Sequence, residues 1–173
     1  NCRTISKTCR QNLVSKLRIG QGFDAHKIIK GPKDFILGGI SIDSEYEVVA
    51  HSDGDIISHA ITDALLGACK MGDIGKLAPS NEENKDISSI HLLNKVSTML
   101  SDAGYQIVNI DLTYVGEEPR LEKFKKKIEE NLAKELKMNP NDISCKATTT
   151  DGLGYEGVRE GISTQAIALV TKD

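Results

Sequence analysis

The sequence predicts an α+β protein: one mixed β-sheet with its helices layered on a single face. Three observations carry this. Short apolar or alternating stretches of strand type open, interrupt and close the chain. Three longer segments repeat their apolar residues at helical spacing. The order is strands, two helices, strand, helix, two strands, which lets strands pair while helices cover one side. The chain has 173 residues, 39% of them apolar. That suffices for one compact core, and no repeats or internal linkers break it.

The first predicted strand runs from Leu17 to Gly22 and delivers Asp24 and His26 at its end. Phe35 to Leu37 and Ile40 to Ile42 read as short strands split by Gly38-Gly39. Ser52 then opens a helix, with Asp55 three residues on, close to a capping box. Ile57, Ile61, Ala64, Leu65 and Ala68 make its apolar face, and Gly72 stops it. Asp55, His59 and Asp63 fall on the opposite stripe at i, i+4 and i+8. Asp73 to Ile87 is polar and long enough to suggest a lid. Ser88 or Ser89 caps a second helix, with Ile90, Leu93, Val96 and Leu100 inward. Val108, Ile110, Leu112 and Tyr114 alternate with polar residues as a half-buried strand. Pro119 suits the first turn of a third helix, which repeats Leu121, Phe124, Ile128, Leu132 and Leu136. Ile143 to Thr149 and Ile162 to Val170 are the last strands, joined through a Gly-rich loop.

The net charge of −3 is too mild to argue for nucleic acid. No apolar run approaches the roughly 20 residues of a membrane span, so neither nucleic acid nor membrane is an expected partner. Residues 1–16 are basic, acid-free and rich in Ser and Thr, and read either as a transit-peptide remnant or as a plain basic arm. Residues 17–173 read as a single domain. Cys2, Cys9, Cys69 and Cys145 form no CxxC pair, which argues against a structural zinc knot.

Asp24, His26 and His59 can offer one carboxylate and two imidazoles to a divalent metal. Three protein ligands leave a position open for water or substrate. A histidine near a strand end is more often a hydrogen-bonded core residue, so Asp24 and His26 alone would be weak evidence. His59, on a stripe between two acids, strengthens it. Asp55 and Asp63 either fix its tautomer or merely solvate the helix. Gly72 to Lys76 offers close backbone approach and a carboxylate for hydroxyls, or an ordinary helix stop. Thr148, Thr149 and Thr150 offer hydroxyls to phosphates, or simply favour a strand. Asp151 behind them can hold a hard cation.

These segments together resemble one family. RIGQGFDAH, AHSDGDIISHAITDALLGACKMGDIGKLAPS, KATTTDGLGYEGVREGI and the QAIALV ending are similar to the 2-C-methyl-D-erythritol 2,4-cyclodiphosphate synthases, over residues 18 to 170. The resemblance implies a homotrimer with active sites between subunits. It implies a cytidine diphosphate-linked methylerythritol 2-phosphate as substrate, closed to the cyclic diphosphate with loss of CMP. It implies zinc on Asp24, His26 and His59, and Mg²⁺ or Mn²⁺ on Asp151 with the substrate phosphates. His51 and Ser52 would hold phosphates, Asp73 and Gly75 the methylerythritol part. Gly116, Arg120, Leu121, Ala147 and Thr148 would lie on the cytidine side, with Thr149 near the bridging phosphate and Arg159 also in reach of substrate. Thr149, Asp55 and His51 are the expected catalytic residues. The pathway implies a plastid-type organelle, with the bacterial cytoplasm as the alternative.

Four positions depart from the family pattern. Asp151 replaces a glutamate, Gly152 a lysine, Ala78 an aromatic and Val158 an arginine. Three rivals fit the residues alone: a phosphohydrolase using the same triad, a non-haem iron enzyme, and a trimeric binding module with structural histidines.

Overall fold

A computed structural model describes residues 16–78 and 88–172. Its five-stranded sheet combines β4 (Tyr46–Val49), β1 (Leu17–Lys30), β7 (Gly161–Lys172), β5 (Tyr105–Val115) and β6 (Ile143–Thr148), in that order. All neighbours are antiparallel except β5 and β6, so the sheet is mixed as expected. A separate hairpin pairs β2 (Phe35–Leu37) with β3 (Ile40–Ile42), both matching their predicted bounds.

Three long helices cover one face. α1 (Ile56–Ala68) lies on β1 and β7. After a single turn, α2 (Ile74–Leu77), comes α3 (Ser89–Asp102), packed on α1 and α4. α4 (Lys125–Leu136) backs β6, and a last turn, α5 (Gly154–Gly157), precedes β7. The core lies between sheet and helices: Ile57, Ile61, Leu65, Leu93, Leu100, Ile110, Leu112 and Leu132 are all buried there. Among the described residues no helix is long and apolar enough to cross a membrane.

Several expectations need correction. β1 does not stop at Gly22. It pairs with β7 through Lys27 and with β4 from Lys27 to Lys30, so Asp24 and His26 stand inside a strand. Ser52 does not open the first helix. Asp55 is the N-cap, its side chain accepting from the Ser58 amide at 3.1 Å. Pro119 is not in a helical first turn: it follows a cis peptide bond, and α4 begins only at Lys125. Val108 faces solvent because a bulge between Ile107 and Asn109 shifts the register; one extra residue reverses the alternation around it. Leu92 is buried as well as Leu93. β4 was missed, since a four-residue edge strand carries too little period to read. The predicted lid loop contains α2, and the rest of it, 79–87, lies outside the described residues, as do Cys2, Cys9 and most of the basic arm.

Candidate metal centre and nucleotide-side cleft

The period of two along β1 places Gly20, Gly22, Asp24 and His26 on the helix-covered face. The two glycines matter for distance. A Cβ on Gly20 would sit 1.9 Å from the Ala64 carbonyl oxygen, and one on Gly22 would sit 1.9 Å from that of Ala60. The backbone of α1 therefore rests directly on the backbone of β1. That close approach carries His59, the neighbour of Ala60, onto Asp24.

His59 Nδ1 lies 2.8 Å from Asp24 Oδ2. His26 Nε2 lies 3.2 Å from the same oxygen, yet among the described residues this buried nitrogen makes no hydrogen bond. The two rings meet edge to face with centroids 5.7 Å apart. One ligand atom from each of the three residues lies within 4.8 Å of the others. A buried imidazole nitrogen left unpaired costs free energy, and a cation between the three atoms would relieve that. Two nitrogens and one carboxylate oxygen fit a zinc-type donor set. The structure thus brings together the three residues singled out as metal ligands.

The electrostatics agree. Burial works to raise the Asp24 carboxyl, but the His26 and His59 imidazoles overcome it and hold it down at about 2. Burial works to depress the His59 imidazole, but Asp24, with Asp55 and Asp53 behind it, holds it above its ordinary value. The cluster is one ionised carboxylate shared by two rings.

Around it sit further polar groups. Ser52 Oγ is 3.4 Å from His59 Nε2, and His51 beside it is exposed. Asp63 Oδ1 accepts from the Ile74 amide at 2.7 Å, which fixes α2 against α1. Asp73 caps α2 through the Lys76 amide at 2.9 Å and, like Gly75, is open to solvent.

Asp55 is not where the helical stripe suggested. It is fully buried, and its carboxylate accepts from the amides of Gly38, Gly39 and Ser58 and from the Ser58 hydroxyl. Its carboxylate pins the β2–β3 hairpin to the start of α1 and reaches the His59 imidazole only through its charge. The Asp55 carboxylate thus spends its hydrogen bonds on structural partners rather than on the His59 imidazole. Asp63 likewise spends its oxygen on Ile74 rather than on the imidazole.

A second cleft, of about 210 Å³, is lined by Tyr114, Gly116, Arg120, Leu121, Ala147, Thr148 and Thr149 among others. All six residues assigned to the cytidine side and bridging phosphate gather here. Gly116 donates to the Thr148 carbonyl at 3.1 Å, holding the two strand ends together. Asp151 is exposed, in a left-handed turn, with its carboxylate 3.4 Å from the Thr149 hydroxyl. Among the described residues it joins no cluster of metal-ligating side chains. Arg159 stands apart, in a cleft with His26, Tyr155 and Glu160 beside the outer end of β1.

The two sites do not merge within one chain. Asp24 pairs with Thr164, Thr164 with Tyr114, and Tyr114 with Ala147. Three strand spacings, roughly 14 Å, separate the ends of this line. Directly opposite residues share a face, and the intervening Thr164 and Tyr114 are buried. Core fills the space between.

Sequence reasoning missed two residues at the metal centre, Asp53 and Ser89. Ser89 Oγ lies 2.8 Å from His59 Nε2 and also donates to Asp53. Nothing local marks Ser89 beyond its place at a helix start, which reads as a cap.

A model of the YgbB family matches residues 17–171. The chain belongs to the YgbB family. A relative from Clostridium botulinum named 2-C-methyl-D-erythritol 2,4-cyclodiphosphate synthase is 44% identical, over 89% of this chain and 99% of its own. One of the same name from Clostridium kluyveri is 47% identical over 89% of this chain and 94% of its own. Among solved structures, Plasmodium falciparum IspF in complex with CDP superposes with a TM-score of 0.81 at 34% identity, covering 91% of this chain and 97% of that one. The bifunctional IspDF of Campylobacter jejuni gives a TM-score of 0.87 at 33% identity, with this chain spanning 43% of it. The YgbB match begins and ends almost where β1 and β7 do, so the described fold and the family region coincide.

Proposed function

We propose that the protein converts 4-diphosphocytidyl-2-C-methyl-D-erythritol 2-phosphate to 2-C-methyl-D-erythritol 2,4-cyclodiphosphate and CMP, as a phosphorus–oxygen lyase of non-mevalonate isoprenoid synthesis. The observation that carries this reading is the Asp24–His26–His59 cluster in a chain related, over nearly its whole length, to synthases of that name.

The reaction closes a ring. An oxygen of the 2-phosphate bonds to the β-phosphorus, the bond from that phosphorus to the bridging oxygen breaks, and CMP departs with the electron pair. Repulsion between the two anionic phosphates opposes this, so catalysis is mainly charge neutralisation and positioning. Zinc held by Asp24, His26 and His59, and Mg²⁺ or Mn²⁺ held by Asp151 and the phosphates, would supply positive charge there. The chain's own groups do the rest. His51 and Ser52 present donors to phosphate beside the metal centre. Asp73 and Gly75, on the exposed cap of α2, take the methylerythritol hydroxyls. Gly116, Arg120, Leu121, Ala147 and Thr148 receive the cytidine side, and the Thr149 hydroxyl donates to the bridging phosphate. Arg159 adds a cation near His26. A phosphate monoester is already ionised near neutral pH, so little general-base assistance is needed.

The active form is a homotrimer on this reading. The separation of the metal centre from the nucleotide-side cleft by buried Thr164 and Tyr114 favours a site built from two chains. An apolar strip on the open face of the sheet supports it: Ile19, Phe23 and Ile167 are 68%, 50% and 44% exposed, with Leu169 paired beside Ile19. Exposed apolar strips of this kind mark association surfaces. Residues 17–173 are the catalytic domain and 1–16 a dispensable arm. The Clostridium relatives weigh for the bacterial-cytoplasm alternative rather than for an organelle.

The test is incubation with the cytidine-linked substrate and Mg²⁺, followed by ³¹P NMR and CMP measurement. Cyclic diphosphate and CMP in equal amounts are expected. Release of inorganic phosphate instead would sink the reading in favour of a phosphohydrolase.

A further inference from the structure

We propose that Asp53 and Ser89 act as a positioning relay that fixes the tautomer and angle of the His59 imidazole for metal binding. The inference rests on the reading of Asp24, His26 and His59 as metal ligands.

Proton counting carries the argument. Asp53 Oδ2 accepts from the Ser89 amide at 2.9 Å, and Asp53 Oδ1 accepts from the Ser89 hydroxyl. An ionised carboxylate has no proton to give, so the single hydroxyl proton of Ser89 is committed to Asp53. The Ser89 oxygen, 2.8 Å from His59 Nε2, can then only accept. The imidazole must therefore carry a proton on Nε2. Its Nδ1 is the nitrogen 2.8 Å from Asp24 Oδ2, and so the one turned to the metal position.

Metal-ligating histidines typically donate their second ring N–H to a carboxylate or carbonyl, which fixes the ring and raises its basicity. Here the carboxylate of Asp53 works through a hydroxyl. Two anchors on Ser89, amide and side chain, hold that hydroxyl in place. Ser52 Oγ also lies near Nε2, but at 3.4 Å, and it accepts from the Gly54 amide. Its longer contact leaves Ser89 as the principal partner and Ser52 available to substrate. Ser89 is the first residue of α3 and Ser88 its N-cap, so the Ser89 hydroxyl is free to make its bonds inward.

The experiment uses the full chain with Zn²⁺ as probe. Zinc affinity is measured by competition with a chromophoric chelator for wild type, Ser89→Ala, Ser89→Thr and Asp53→Asn. Loss of such a partner typically weakens metal binding by about 10–100-fold, and that loss is expected for Ser89→Ala and Asp53→Asn. Ser89→Thr keeps the hydroxyl and should retain wild-type affinity. In parallel, long-range ¹H–¹⁵N spectra of zinc-loaded wild type, with His59 assigned by its loss in His59→Asn, should show the proton on Nε2. This second measurement holds even if Ser89→Ala fails to fold. Unchanged zinc affinity in Ser89→Ala, no rescue by Ser89→Thr, or a proton on Nδ1 would each overturn the relay. A wild-type protein that takes up no zinc would overturn the metal reading itself.

Discussion

Asp24 is the residue on which the site turns. One of its oxygens faces both imidazoles, and the carboxyl stays ionised far into acid because those rings sit against it. Asp151 is its opposite: exposed and, among the described residues, bonded only to a neighbouring threonine. We expect Asp151→Asn to require far more Mg²⁺ for activity and Asp151→Glu to keep it, because an amide is a weaker ligand for a hard cation. Zinc content should not change in either. A wild-type Mg²⁺ titration curve in Asp151→Asn would reduce Asp151 to a solvated turn residue. A different single-residue effect concerns alkaline pH. Burial pushes the Cys145 thiol up to about 12 from an ordinary 9.0, with Glu129 adding to it. The folded-state value is raised, so this contribution is fully present below the unfolded value and is lost as pH rises through the folded one. Urea midpoints should therefore fall as pH climbs above about 9, and Cys145→Ala should flatten part of that decline. An identical slope in the variant would remove Cys145 as a cause.

At the scale of elements, the contact between α1 and β1 sets the geometry of the metal centre. Gly22→Ala would place a methyl carbon 1.9 Å from the Ala60 carbonyl oxygen. The helix must retreat, at a cost of about 1–3 kcal/mol or more, and His59 retreats with it. We expect a folded but less stable protein with weakened zinc binding, read by thermal melts and chelator competition. Stability loss without any change in zinc affinity would show that the centre tolerates the shift. The start of α1 is a second control point. Asp55→Ala would remove the acceptor of three buried or part-buried amides and one hydroxyl. Losing a cap costs roughly 0.5–2 kcal/mol, and stranded buried donors about 1–3 kcal/mol each. A loss of about 3–5 kcal/mol in urea unfolding is expected from these terms. A fully stable but inactive Asp55→Ala protein would instead favour the catalytic role that the family resemblance implies for Asp55.

At the scale of the whole molecule, the proposed function needs the two separated clefts to serve one substrate. Phe23→Lys puts a charge in the middle of the open apolar face without touching the metal ligands, which lie on the other side of the sheet. We expect light scattering to give a trimer for the parent chain and a smaller species for Phe23→Lys, with zinc still bound and activity lost. Full activity from a monomer would require both half-sites to meet within one chain, against the buried Tyr114 between them.

Much of this was legible in the chain itself. Residue type and local period identified the strands ending in Leu37, Ile42, Thr148 and Lys172, the helices around Leu65, Leu93 and Leu132, and the three ligand candidates, because alternation, helical spacing and ligand chemistry are properties of neighbouring residues. The family resemblance added the cytidine-side residues that one cleft then collected. What the tertiary structure alone decided concerns residues distant along the chain. Asp55 and His59 share a helical stripe, yet one is sealed under the β2–β3 hairpin and the other opens onto Asp24. Ser89 looks like a helix cap, yet it joins Asp53 to His59. These outcomes depend on which backbones touch, at Gly20 and Gly22 above all. A contact of that kind is set by packing across the whole core, and no local spacing encodes it.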